Sequence, residues 1–327
     1  MKIVRRVWDV ITAALVPTRR PEEKTVMKLK HWQEVNKDGK LHKQVVFPVV
    51  GQVKKDGVYA LILVQGRDVF VFNRTGREMV NVESIIEDFK QALVPQGVYI
   101  GELCNKWCSL EVLSGIVNPN RTAALSPDQV THARNMHLYL HDYMMRDEFI
   151  VGQTATKYMQ RYTFLTTNLR QCPLLKASIL PVWKLYDELQ VEGFAKQCIA
   201  DGEEGAVFKC NTIWEAGHKG WRMMKWVREV SYDLLCVGIE EGTGKYAGKA
   251  ANLLFRWEGG KQIKAMLGKG YTHADAENMF VGTRMGIAEM TPIDKVYRVR
   301  GLSDSSKGVI RLPKVMEERH DKTEGDF

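Results

Sequence analysis

The chain of 327 residues is long enough for two modest domains with real cores and gives no sign of a third. Its 47 Lys+Arg against 39 Asp+Glu leave a formal charge of +8, which favours an anionic partner such as nucleic acid without saying which kind. The six cysteines are scattered, Cys104-x-x-x-Cys108 lacks a second pair for a zinc tetrahedron, and Arg5, Arg6 and Asp9 interrupt the only apolar stretch near the start. The expectation is therefore reduced thiols, no membrane span, no secretory leader and a cytoplasmic protein.

Residues 3–16 carry Val4, Val7, Trp8, Ile11 and Leu15 at helical spacing, which predicts a helix docked by its apolar side. The basic residues around it, Arg5, Arg6, Arg19, Arg20, Lys24, Lys28 and Lys30, are either solvated or track phosphates; the sequence leaves both open. Asn36-Lys37-Asp38-Gly39-Lys40 predicts a turn, and strands follow over 44–52, 59–65 and 69–72. In the first of these, alternation puts Gln52 and Lys54 on one face and Val53 and Lys55 on the other, two residues ahead of a tight Asp56-Gly57 turn. A helix is expected over 81–93 with Ser84 and Glu87 in capping-box spacing, then a strand over 97–103 that carries Glu102. Ser126-Pro127-Asp128-Gln129 opens another helix, and 136–144 is a strand. Helices are expected near 158–169 and 181–197, and a short strand over 206–210. Strand pairs interleaved with helices, without regular βαβ alternation, argue for an α+β fold.

After about residue 228 the texture changes to short strands over 233–239, 251–257, 262–266 and 295–300, with one helix opened by Thr272-His273-Ala274-Asp275. That pattern fits a small Greek-key barrel of the oligonucleotide-binding type, so the expected domains are 1–229 and 230–327. The Gly- and Lys-rich loop 241–249 follows a strand without opening a helix and has no complete Walker pattern, which argues against a P-loop. Residues 317–327 are polar enough to be mobile.

Six short motifs stand in order: Gln52-Val53-Lys54-Lys55-Asp56-Gly57, Arg74-Thr75-Gly76, Gly101-Glu102-Leu103, Glu204-Gly205-Ala206-Val207-Phe208-Lys209, Trp221-Arg222-Met223-Met224-Lys225 and Arg319-His320-Asp321-Lys322. Taken alone, Lys-x-Asp-Gly is ordinary turn chemistry. In this order and spacing the six resemble the covalent nucleotidyltransferases, specifically the small ATP-dependent DNA ligases of bacteriophages, over about residues 48–322. The resemblance implies an ATP-grasp-like adenylyltransferase domain followed by an OB-fold barrel. It also implies ATP and Mg2+ as cofactors, nicked double-stranded DNA as partner, action as a monomer, and a place in DNA repair, replication and recombination.

By the same resemblance Lys54 is the nucleophile that takes AMP from ATP. A lysine attacks phosphorus only as the neutral amine, and its ordinary pKa is about 10.4, so its pocket has to supply burial or neighbouring positive charge. Gln52 is placed to read the adenine edge, and His141 to stack on the base where the family usually has an aromatic residue before Asp. Glu102 and Glu204 would handle the ribose and the magnesium. Glu102 follows Gly101, which is expected to let the backbone pass close to the nucleotide. A regular strand from Glu204 would put it on the face opposite Lys209, so Gly205 has to bend the chain if both reach the site. Lys209 and Lys225 would bind the α-phosphate, while Met223 stands where the family often has a first Lys, and Arg222 would face away from the site. Arg74 matches the residue that grips the nick backbone. In the tail, Arg319 and Lys322 match the last motif, in its ligase version because Arg311-Leu312-Pro313 precedes it. Rival readings are an RNA ligase or mRNA guanylyltransferase of the same superfamily, and a nucleic-acid-binding protein whose pocket has decayed.

Overall fold

The structure is a computed structural model that describes residues 5–12, 24–304 and 308–327. Helix α1 (Val7–Thr12) buries Val7 and Ile11, as their four-residue spacing requires. Residues 3, 4 and 13–16 of the expected helix, with Arg19 and Arg20, lie outside the described residues. Strand β1 (Lys28–His31) runs into the one-turn helix α2 (Trp32–Val35), and a small hairpin, β2 (Asn36–Lys37) and β3 (Lys40–Leu41), turns on Asp38-Gly39. The next strand, β4 (Val49–Lys54), starts five residues later than expected. It is hydrogen-bonded on both edges, and Pro48 has no N–H to give to such a ladder.

Strands β5 (Val58–Gln65) and β6 (Asp68–Phe72) form a hairpin, followed by α3 (Glu83–Ala92) and β7 (Gly97–Cys104). The expected capping box on α3 is not formed: the helix opens two residues earlier, after Val82, and the Ser84 hydroxyl donates to the Ala133 carbonyl at 3.1 Å. Helix α4 (Leu110–Ile116), capped by Ser109, was not expected, being only two turns long. Helix α5 (Pro127–Arg134) starts where expected, with Pro127 in its first turn and a Ser126/Gln129 capping box at its N-terminus. Strand β8 (His137–Met144), the unexpected short helix α6 (Arg146–Val151) and α7 (Tyr158–Gln171) follow. Of the helix expected over 181–197, residues 188–197 are helical and 183–185 are a strand. Residues after β9 (Ala177–Ile179) enter β10 (Trp183–Leu185), which pairs with Val49 to Gly51, and α8 (Glu188–Ala200) begins only where the Asp187 carboxylate accepts from Gln190 N–H at 2.8 Å. Pairing to a distant strand overrides local helical pattern there.

Strands β11 (Gly205–Lys209) and β12 (Lys219–Val227) complete the first compact unit, which ends at Val227. It holds two five-stranded sheets, ordered β1-β12-β11-β4-β10 and β6-β5-β7-β8-β9. Side-chain alternation divides each sheet between two cores. In β5, Ala60, Ile62 and Val64 pack outward with Ile85 and Phe89 of α3 and Leu165 of α7, while Leu61 and Leu63 join a cluster with Val7, Ile11, Met27 and Trp214. Ala206, Phe208 and Met224 of the other sheet pack outward against Val191, Ala195 and Cys198 of α8.

The second unit, residues 228–327, is a closed five-stranded barrel of β13 (Glu229–Glu241), β14 (Ala250–Trp257), β15 (Lys261–Leu267), β16 (Val296–Asp304) and β17 (Ile310–Glu318), closing in the order β13-β14-β15-β17-β16. Its helix α9 (His273–Met285) has the predicted Thr272/Asp275 capping box. The expectation of a mobile end is not met. After β17 the tail folds back along β13: Asp233 and Asp326 exchange two backbone-anchored hydrogen bonds of 2.7 Å, and the Phe327 ring packs 5.4 Å from Tyr232 and 4.9 Å from Trp257. Polarity along 317–327 missed the single aromatic anchor and the Asx contact that pin it. No described helix is long and apolar enough to cross a membrane.

Candidate active site

Lys54 ends β4, and Val58 opens β5 in the other sheet, so the Asp56-Gly57 bend is a crossing between sheets rather than a hairpin. At this crossing lies a cavity of about 140 Å³. Val26, Met27, Leu29, Leu180 and Met223 give it an apolar wall, and Gln52, Lys54, Arg74, Glu102, His141 and Lys209 bring the polar groups. The alternation argument holds for Gln52 and Lys54 but fails for Lys55. The strand has ended there, so Lys55 is not sent to the opposite face; it borders the same cavity, pairs with Glu203 and lies 5.0 Å over the Tyr139 ring.

The Lys54 amine is 2.5 Å from Glu204 Oε2. Gly205 makes this contact possible. It sits opposite Lys54 in register, at φ +150, and a side chain there would meet the Trp226 carbonyl oxygen at 2.1 Å. Because regular strand geometry begins only at Gly205, Glu204 and Lys209 reach the same site, as the sequence required. Gly101 has a different reason from the expected one: a side chain there would strike the Tyr139 carbonyl of β8 at 2.6 Å, so the close approach is strand to strand, beside a register shift in that pair.

Glu102 faces the same site from β7. Its carboxyl is pushed up to about 7, chiefly by burial, with Lys54 pulling the other way and the like charge of Glu204 adding to the rise. Such a carboxylate gains from a nearby cation. Two oxygen-bearing side chains suit magnesium, which takes one or two carboxylates and fills the rest of its shell with water and phosphate. Among the described residues no cluster of three or more His, Cys, Asp or Glu forms a fuller cage.

Behind the cavity lies a buried polar network. The Gln52 amide donates to the Leu180 carbonyl at 3.2 Å and accepts from the Tyr158 hydroxyl at 3.0 Å. Lys209 Nζ donates to the His141 carbonyl at 3.0 Å, stands 3.3 Å from His141 Nδ1 and lies 4.3 Å over the Tyr158 ring. Burial lowers the Lys209 amine to about 7. Burial, then the neighbouring Lys209 charge, lowers His141 to about 3, so its imidazole is neutral and Nδ1 accepts from the lysine. Next to it Asp142 takes two parallel 2.9 Å bonds from the Arg161 guanidinium, both groups almost fully enclosed. Burial opposes the charge on Asp142, but Arg161 holds its carboxyl below the usual range.

Tyr158 and Arg161 were not singled out from sequence, where the stretch near 158–169 read only as a helix; a carboxylate directly after His141 on a buried strand was the available hint that a cation had to come from elsewhere. Arg161→Ala, which leaves Asp142 buried and unpaired, is expected to destabilise the first unit by about 3–5 kcal/mol. A thermal melt against the parent chain measures it, and the expected loss is far larger than for removal of the exposed pair Lys196–Glu192.

The remaining motif residues divide. Arg74 sits in a turn organised by Asn73 Oδ1, which accepts from Thr75 and Arg77 N–H, and its side chain reaches the cavity. Met223 lines the cavity opposite Lys209 in register, so a thioether stands at the position where the resemblance implies a lysine. Arg222 faces away as expected, bonded to Glu215 and His218 and packed on Trp221. Lys225 pairs with Val207 in register, on the Met223 face of β12, but is not among the cavity's lining residues. Arg319 and Lys322 belong to the barrel unit, where both engage Asp233.

A sequence model of the ATP dependent DNA ligase domain matches residues 37–226, more than half of the chain. DNA ligase 1 of Methanosarcina mazei is 25% identical over 272 residues, which is 76% of this chain and 46% of that protein. The chain spans under half the length of the curated relatives it matches. Among solved structures, Pmar-Lig_Pre superposes with a TM-score of 0.73 at 20% identity, covering 91% of this chain and 68% of the other. The ATP-dependent DNA ligase of bacteriophage T7 in complex with ATP reaches 0.50 at 16% identity, over 83% of this chain and 92% of that one. These likenesses agree with the α+β unit followed by a barrel, and the match over residues 37–226 decides the family: this chain belongs to the ATP-dependent DNA ligases.

Proposed function

We propose that this chain seals nicks in duplex DNA as an ATP-dependent ligase, through AMP carried on Lys54. The observation that carries the reading is the Lys54 amine at the sheet crossing, paired with the Glu204 carboxylate beside a cavity whose lining combines apolar side chains with Arg74, Glu102 and Lys209. Lys54 Nζ attacks the α-phosphorus of ATP; a P–N bond forms, the bond to pyrophosphate breaks, and Glu204 is in position to take the amine proton. The 5′-phosphate of the nick then attacks the same phosphorus and frees the amine. Finally the 3′-hydroxyl attacks the 5′-phosphorus, and AMP leaves. Magnesium, held by Glu102 and Glu204, would neutralise charge on the phosphate oxygens.

The apolar wall suits the adenine, and Gln52 keeps one N–H for the base edge after its bond to Leu180. Lys209 and Lys225 act on the α-phosphate and Arg74 on the nick backbone. From the barrel domain, Arg319 and Lys322 orient the departing pyrophosphate. The catalytic domain runs to about residue 229 and the barrel domain from there, the chain working as a monomer. Incubation with each labelled nucleoside triphosphate, followed by sealing assays on DNA and RNA nicks, tests this reading. ATP-specific labelling with DNA sealing supports it. GTP labelling points to a capping enzyme, RNA-only sealing to an RNA ligase, and no adduct at all to a binding protein.

Binding to the nick should rest mainly on phosphate contacts, given the +8 charge and no obvious base-reading motif. Affinity is expected to fall steeply with salt, with a log-log slope of about −0.9 per neutralised phosphate and little dependence on sequence. A filter-binding titration across salt concentrations checks this; a flat slope with strong sequence preference would overturn it.

A further inference from the structure

The two tail cations are held on one oxygen. Arg319 gives Nε and Nη2 to Asp321, at 2.8 and 2.6 Å, and Nη1 to Asp233 Oδ2; Lys322 Nζ stands 2.7 Å from that same oxygen. Asp233 is itself fixed. It is only 8% exposed, and its backbone N–H and C=O are both bonded to Asp326. Arg298 Nε lies 3.4 Å from the other carboxylate oxygen, with its Nη1 tied to Glu317 at 2.8 Å. A rigid carboxylate on the first barrel strand therefore brings together two charges that would otherwise repel.

Both cations keep donors to spare. The guanidinium has five N–H groups and spends three here, and an ammonium has three. Held side by side, the unused donors match a ligand with two adjacent phosphate groups. We propose that Asp233 is a positioning residue that keeps Arg319 and Lys322 as a preformed clamp for pyrophosphate, an inference that rests on the role proposed above for those cations. Asp233 touches no reacting atom. Its effect is to fix the spacing of the two groups that do touch the diphosphate, so that the ligand does not have to gather them.

The reverse of enzyme adenylation reads this directly. Inorganic pyrophosphate attacks the phosphorus on adenylated Lys54, the P–N bond breaks, and ATP and the free amine result. In the full chain, Asp233→Asn is expected to raise the pyrophosphate concentration for half-maximal deadenylation on the order of tenfold and to slow forward adenylation similarly. Sealing of a pre-adenylated nick should stay within about twofold. Asp233→Glu, which keeps the charge, should recover most of the loss, and Asp233→Asn should add nothing on top of the Arg319→Ala/Lys322→Ala background.

Unchanged or tighter use of pyrophosphate by Asp233→Asn overturns the inference. So does an equal loss of sealing, which would make Asp233 a residue of the fold. If removing the two cations leaves adenylation intact, the underlying reading of Arg319 and Lys322 fails instead, whatever Asp233 does.

Discussion

Lys54→Ala is expected to abolish the covalent AMP adduct, while Lys55→Ala keeps it. Both lysines border the cavity, so position alone does not separate them. Their surroundings do. Lys54 ends a strand whose neighbour Gln52 points into the same site, and its amine lies on Glu204 at 2.5 Å with the Glu102 carboxyl facing it from the other sheet. Lys55 is past the strand end, tied to Glu203 and laid over the Tyr139 ring. Removal of the nucleophile leaves no group to form the P–N bond, and the expected loss is several orders of magnitude. Loss of the partly exposed Lys55–Glu203 pair should change stability by roughly 0–1 kcal/mol. Peptide mass mapping of the protein after incubation with ATP should place AMP on Lys54. An adduct on Lys55 would end the assignment.

The second large effect belongs to the tail. Arg319→Ala/Lys322→Ala is expected to cut enzyme adenylation by orders of magnitude and to leave single-turnover sealing of a pre-adenylated nick nearly intact. Pyrophosphate leaves only in the first step, so cations that orient it act only there. These residues belong to the barrel unit and Lys54 to the other, and the two assays separate an effect on the first step from one on sealing. One residue, Arg228, separates the last strand of the first unit from the first strand of the barrel. Rapid-quench measurement of the two steps checks the expectation. Equal loss in both assays would assign Arg319 and Lys322 to the fold or to DNA binding.

Much of this was legible in the residues. The order and spacing of six motifs identified the family, and Pro127 after Ser126 and the Thr272/Asp275 spacing marked helix starts because such signals are built from neighbouring residues alone. Even the irregular Gly205 was foreseeable, since strand alternation forbids Glu204 and Lys209 from sharing a site otherwise. What failed were inferences that depended on partners far along the chain. Residues 183–185 became a strand because Val49 to Gly51 offered an edge, Ser84 left its helix cap for the Ala133 carbonyl, and residues 319–327 were pinned through Asp233 and Trp257.

By itself, then, the sequence determined the order of the motifs that mark the family and the local geometry that nearest neighbours impose: which lysine ends the strand, which glycine must bend, where the helices after Ser126 and Thr272 begin. Only the tertiary structure decided what surrounds those groups. It enclosed Lys209 and His141 so that burial lowers both, supplied Arg161 to Asp142 from a helix 19 residues on, and set two tail cations on one carboxylate 86 residues upstream of Arg319. The reason is physical. Backbone propensity, capping and alternation act over a few residues, whereas desolvation and charge pairing depend on which distant segments the fold brings within a few ångströms.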